Sequence, residues 1–144
     1  MSRPFQFRAF VPAILVLFAI SAALRWSKRD EILVTNIDAS YHVLLTVRAL
    51  NETPASIHHF LPTVTLGREL DRDVPFGATM RGPRGVYYYT SFPPLGFVAP
   101  WAFFRVTGLA PSIEHLLVFS LVIHLVATFL IAFLVSDLAK AAGA

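Results

Sequence analysis

Arg81 and Arg84 stand three residues apart, with no acidic residue anywhere between Asp73 and Glu114. A planar guanidinium fork matches the oxygens of a phosphate, so the two arginines are candidate phosphate ligands. Arg68 and Arg72 carry the same chemistry, but Glu69, Asp71 and Asp73 sit among them and offer local ion pairs. Asp38 precedes a run that reads as a short helix, ASYHVLLTVRAL at 39–50. A carboxylate there can take a proton from a hydroxyl or an amine when partial burial tunes it. It can equally cap the helix, and the two roles are compatible. Tyr41 and His42 follow it closely, and they line either an acceptor site or an interfacial packing surface. His58 and His59 are adjacent, do not share a helix face and have no Cys or His at i+4. They are not expected to hold a metal. His124 lies inside an uncharged stretch, where an ionisable group is a functional hypothesis by default. The plainer expectation is a neutral imidazole hydrogen-bonded to a neighbouring helix. No Gly-rich phosphate loop, nucleophile elbow or His-Glu zinc motif is present, so nucleotide-dependent chemistry has no support.

The elements that must position these residues follow from composition. The chain has 144 residues, 56% of them hydrophobic and 15% charged, with 13 Phe and no Cys. A soluble domain this small cannot bury so much apolar surface; a bilayer accepts it. The net charge is +3. Residues 27–91 hold seven basic and seven acidic groups, so the excess belongs to Arg3, Arg8, Arg25 and Arg105, which flank apolar segments. They read as membrane anchors, and no nucleic-acid partner is expected. Three apolar segments stand out: Ala9–Leu24, Phe92–Leu109 and Leu116–Ser136. The first is about 24 Å long at 1.5 Å per residue, and Arg8 and Arg25 can snorkel to make up a core of roughly 30 Å. Gly108 can end the second segment and Ser112 can cap the third. A cleaved signal peptide is a second reading of the first segment, through its basic flank and Ser21-Ala22-Ala23.

The fold expected is an all-α, polytopic membrane protein with three transmembrane helices. Residues 1–26 form the first helix with a cytoplasmic N-terminus. Residues 27–91 form a long extracytoplasmic loop with short interfacial helices and no sheet. Residues 92–144 form helices two and three with a short tail. This orientation places several basic residues outside, against the positive-inside tendency, although so long a loop stands near the limit of that rule. Tyr87, Tyr88 and Tyr89 are expected at the membrane–water boundary. Pro93 and Pro94 are expected in the first turn of helix two, where a missing N–H costs little.

Three stretches carry a family resemblance: Asp38-Ala-Ser-Tyr41-His42, Ser91-Phe-Pro-Pro-Leu-Gly96 and Phe103-Phe-Arg-Val-Thr-Gly108. Their order resembles the N-terminal region of the GT-C membrane glycosyltransferases, of the protein O-mannosyltransferase and aminoarabinose-transferase kind. The resemblance implies transfer of a sugar from a polyprenyl-phosphate-linked donor to an extracytoplasmic acceptor. Asp38 would be the catalytic base, Tyr41 and His42 would line the acceptor site, and Arg81 and Arg84 would hold the donor phosphate. The lipid-linked sugar would be a substrate, with no tightly bound cofactor and the need for a divalent metal left open. The location implied is the plasma (inner) membrane, with the 27–91 loop outside and membrane lipid around the helices. Ala39 follows Asp38 where the family often has a second acidic residue, and Phe92 stands where it often has Lys. Such enzymes also have many more helices. The chain is therefore expected either to continue into the remaining helices of a larger enzyme, or to be a non-catalytic subunit packed against a partner membrane protein. His124 and the small residues Ala127 and Ala132 would mark the contact face of such a subunit.

Overall fold

A computed structural model describes residues 7–31, 37–63, 79–82 and 86–142. The described part is mostly helical, and it divides into two compact units. One comprises Met1–Ile32 and Val118–Ala144; the other comprises Leu33–Leu117.

The first unit is built from two long apolar helices. Helix α1 spans Phe7–Ser27. Its 21 residues extend about 32 Å, enough for a bilayer core. Its end is marked by side chains that bond back to it: Ser27 Oγ donates to the Leu24 carbonyl at 2.8 Å, and Arg29 Nη1 donates to that of Trp26 at 3.4 Å. The Arg29 guanidinium also lies 5.5 Å from the centre of the Trp26 ring, within cation–π range. A long helix, Ile113–Ala141, supplies the rest of this unit from Val118 onward.

In the second unit, α2 spans Ile37–Glu52. It starts two residues earlier than the sequence suggests, so Asp38 lies in its first turn and not at the cap. The Asp38 side chain lies outside the described residues. Thr46, Val47, Ala49 and Leu50 are buried along one side of α2, which packs against α3, Leu95–Thr107. The bond from Trp101 Nε1 to Asn51 Oδ1, at 3.1 Å, joins the same two helices. A 3-10 turn, Ala55–His58, follows α2 and ends on His59 and Phe60, both at positive φ (51° and 56°). Phe60 packs edge-on against Trp101 with ring centres 6.1 Å apart.

The chain is mostly helical, but the expectation that the 27–91 loop carries no sheet is corrected here. Strands β1, Thr79–Arg81, and β2, Tyr87–Tyr89, pair antiparallel with Thr79 opposite Tyr89 and Arg81 opposite Tyr87. Tyr88 also bridges to Thr63, and the Tyr89 N–H donates to the Pro62 carbonyl at 2.8 Å. The buried Thr46 hydroxyl in turn donates to the Thr63 carbonyl at 3.1 Å. The three tyrosines therefore alternate as strand residues do. Tyr88 is buried against His58, and Tyr87 and Tyr89 are half-buried. A Cβ at Gly82 would run into the Tyr88 ring. Gly82→Ala is expected to cost about 1–3 kcal/mol through overpacking, read as a lower thermal midpoint of the purified protein.

Helix α3 begins after Pro94, whose own backbone is already helical (φ −55°, ψ −31°). Only 13 residues remain before Gly108, which ends the helix at φ 70° with its N–H on the Phe104 carbonyl. That is about 20 Å, short of a bilayer core of roughly 30 Å. Among the described residues two helices, not three, are thus long and apolar enough to cross a membrane: α1 and α4, Ile113–Ala141. Ser112 caps α4 as its position suggests, accepting the His115 N–H at 3.2 Å.

Candidate functional site

The side of α2 that faces away from its buried residues opens on a cavity of about 790 Å³, within the range of small-molecule sites. Tyr41, Leu44, Leu45, Arg48 and Glu52 line it. Their spacing of three and four is that of one helix face. Pro111, from the link before α4, completes the wall. The floor is apolar, through Leu44 and Leu45. The charged groups gather toward the C-terminal end, where Arg48 Nε donates to Glu52 Oε1 at 2.9 Å. The pair is partly exposed, so its worth to stability is small. Its chemical value is a cation and an anion beside an apolar surface.

Sequence reasoning placed Tyr41 and His42 beside Asp38, and both line this cavity. Tyr41 is exposed. His42 is half-buried and stacks on Tyr89 at 5.4 Å, Tyr89 stacks on Phe92 at 5.3 Å, and Phe92 tilts against Phe97 at 6.4 Å. This run of rings links α2, β2 and the start of α3, and it fixes the orientation of His42. Position 38 precedes Tyr41 and His42 by three and four residues within α2. Helical geometry therefore sets it on their side of the helix.

The arginines behave differently. Arg81 lies on β1 with its side chain exposed and does not line the cavity. Arg84, Arg68 and Arg72 lie outside the described residues. The arginine that the structure brings to the cavity is Arg48, which is not among the phosphate candidates that the sequence suggests. Its signal was present: Tyr41, Leu44, Leu45, Arg48 and Glu52 repeat at helical spacing, with Glu52 four residues after Arg48.

His58 is a packing residue. It is buried, hydrogen-bonded to the Thr53 hydroxyl and set edge-on to Tyr88. Among the described residues no group of three or more His, Asp or Glu side chains is placed to hold a metal ion.

In the first unit, His124 has a partner on another helix. Arg25 Nη1 lies 3.1 Å from His124 Nδ1, and the same nitrogen is 2.8 Å from the Ser120 carbonyl oxygen. Arg25 thus turns toward α4, where the sequence suggested a side chain reaching for the interface. Arginine only donates and a carbonyl only accepts. One imidazole nitrogen can satisfy one of these neighbours but not both.

Comparison with protein-family models, curated proteins and solved structures finds no match for this chain.

Proposed function

We propose that this chain is an integral membrane protein and the N-terminal part of a membrane glycosyltransferase. It transfers a sugar from a polyprenyl-phosphate-linked donor to an extracytoplasmic acceptor. The observation that carries the reading is the α2 cavity. It combines an apolar floor, a hydroxyl and an imidazole at Tyr41 and His42, and a cation at Arg48. An amphipathic substrate with an anionic head needs that combination. Asp38 acts as the base from the same side of α2. Arg48 joins or replaces Arg81 and Arg84 as the donor-phosphate ligand.

In this reading α1 and α4 cross the inner membrane, and residues 27–91 lie outside. Helix α3 is the third membrane segment. Its 13 residues fall about 10 Å short of the core, a mismatch met by local thinning of the bilayer. Retention of α1, and not its removal as a signal peptide, is supported by its packing beside α4, where Leu17, Phe18 and Leu121 share one cavity wall. N-terminal sequencing of the membrane-extracted protein tests this: a mature start near Leu24 would exclude it.

Leu45→Trp tests the cavity. The indole fills the floor of the site from the exposed side of α2 and leaves the buried side untouched. Transfer from a radiolabelled polyprenyl-phosphate sugar by membranes carrying the full native chain is expected to fall at least tenfold, with the thermal midpoint unchanged. Normal transfer by Leu45→Trp would remove the cavity from the reaction. If wild-type membranes transfer no sugar and the chain co-purifies with a fixed membrane partner, the non-catalytic subunit reading replaces this one.

A further inference from the structure

The first unit holds a second cavity, of about 240 Å³. Leu17, Phe18 and Leu121 give it apolar walls, and Ser21, Arg25 and His124 give it a polar end. Arg25 is partly buried and, among the described residues, pairs with no carboxylate. Among the described residues its one hydrogen-bonding neighbour is His124 Nδ1. That nitrogen also lies 2.8 Å from the Ser120 carbonyl, the shorter of the two contacts. An N–H on Nδ1 is the tautomer that satisfies the shorter contact, because a carbonyl only accepts. An Nδ1 that carries hydrogen cannot accept from Arg25. The Thr128 hydroxyl donates to the His124 carbonyl at 2.7 Å, and among the described residues its oxygen accepts no hydrogen bond from Arg25. A guanidinium at the polar end of an apolar cavity is therefore short of an acceptor, which is costly in a site of low polarity.

The acceptor that fits is an anion with an apolar body. Arg25 stands two residues before the end of α1, next to Trp26 and followed by Lys28 and Arg29. That composition marks a membrane–water interface, the depth of phospholipid headgroups. We propose that this cavity binds the phosphate of a bilayer phospholipid. Arg25 grips the phosphate oxygens, the Ser21 hydroxyl donates to them, and the first acyl carbons lie against Leu17, Phe18 and Leu121. With the phosphate on Arg25, the His124 Nδ1–H is free to bond the Ser120 carbonyl, and each group has a partner. The lipid then joins α1 to α4. The inference uses the membrane placement proposed above but not the sugar chemistry.

Native mass spectrometry of the detergent-extracted full chain tests this, with dioleoyl-phosphatidylglycerol as probe. Wild-type protein is expected to retain one lipid, and added lipid is expected to raise the thermal midpoint by several degrees. Arg25→Gln should lose both effects. Ser21→Leu keeps Arg25 but fills the cavity, and should lose them too. Arg29→Gln, two residues beyond the same end of α1, should keep both. Equal retention by wild type, Arg25→Gln and Ser21→Leu would overturn the proposal. So would the same thermal shift from inorganic phosphate alone, since that shows a soluble anion site. A chain found in the soluble fraction of the cell would overturn the membrane placement itself. A membrane-extracted chain that binds no lipid overturns only the site.

Discussion

Asp38→Asn is expected to leave the protein folded and to lower sugar transfer by roughly two to four orders of magnitude, the range lost with a general base. Asparagine matches aspartate in shape and hydrogen-bonds through its carbonyl, but it takes no proton from an acceptor. The structural cost is small. Position 38 lies in the first turn of α2, where a negative charge is worth about 0.3–1 kcal/mol against the helix dipole. The two roles therefore separate cleanly in one variant. A base gives a collapse in rate with a midpoint shift of a degree or two. A charge that only steadies the helix gives the midpoint shift with the rate intact, and that result would end the catalytic assignment. Asp38→Glu sharpens the comparison: it restores a carboxylate one methylene farther out, so partial recovery of rate is expected from a base.

The parts of this fold that the sequence made legible are those set by neighbours along the chain. The start of α4 was readable because Ser112 is a strong cap, and the end of α3 because glycine accepts φ 70° at little cost. The uncharged run Leu116–Ser136 lies inside α4, and Ala9–Leu24 lies inside α1. The β-hairpin was not legible, because its pairing is not local. Tyr88 needs Met80 on one side and Thr63 on the other, and strands of three residues leave almost no periodic signal. Three consecutive tyrosines fit an interfacial belt equally well on composition alone. The length of α3 was misjudged for a related reason: Pro93 and Pro94 consume the first residues of the apolar segment, and Gly108 closes it early. In the candidate site, Tyr41 and His42 were legible from their place beside Asp38. Arg48 was hidden because α2 was read for its apolar stripe, and an arginine within such a stripe looks like solvent exposure.

The largest stability effect is expected at Phe104. Its side chain is 3% exposed, on the α3 helix that packs against α2, and it meets the Phe103 ring edge-on at 5.6 Å. Phe104→Ala removes the buried ring and leaves a void that its neighbours fill only in part, at a cost of about 3–5 kcal/mol. A domain holds only about 5–15 kcal/mol in all, so the second unit should be near the limit of folding. The loss should spread in a specific order. With α3 loosened, the Trp101–Asn51 bond and the Phe60–Trp101 contact go with it, so Trp101 fluorescence should report the change directly. The α2 cavity depends on α2 being held from behind, so transfer should fall along with the midpoint. Lipid retention at Arg25 should persist, because that cavity draws only on residues of the first unit. Phe104→Leu, which restores most of the volume, should recover most of the midpoint. A Phe104→Ala protein with wild-type midpoint and wild-type Trp101 emission would show that α3 is not held by this contact, and the support it gives to the cavity face of α2 would have to come from elsewhere.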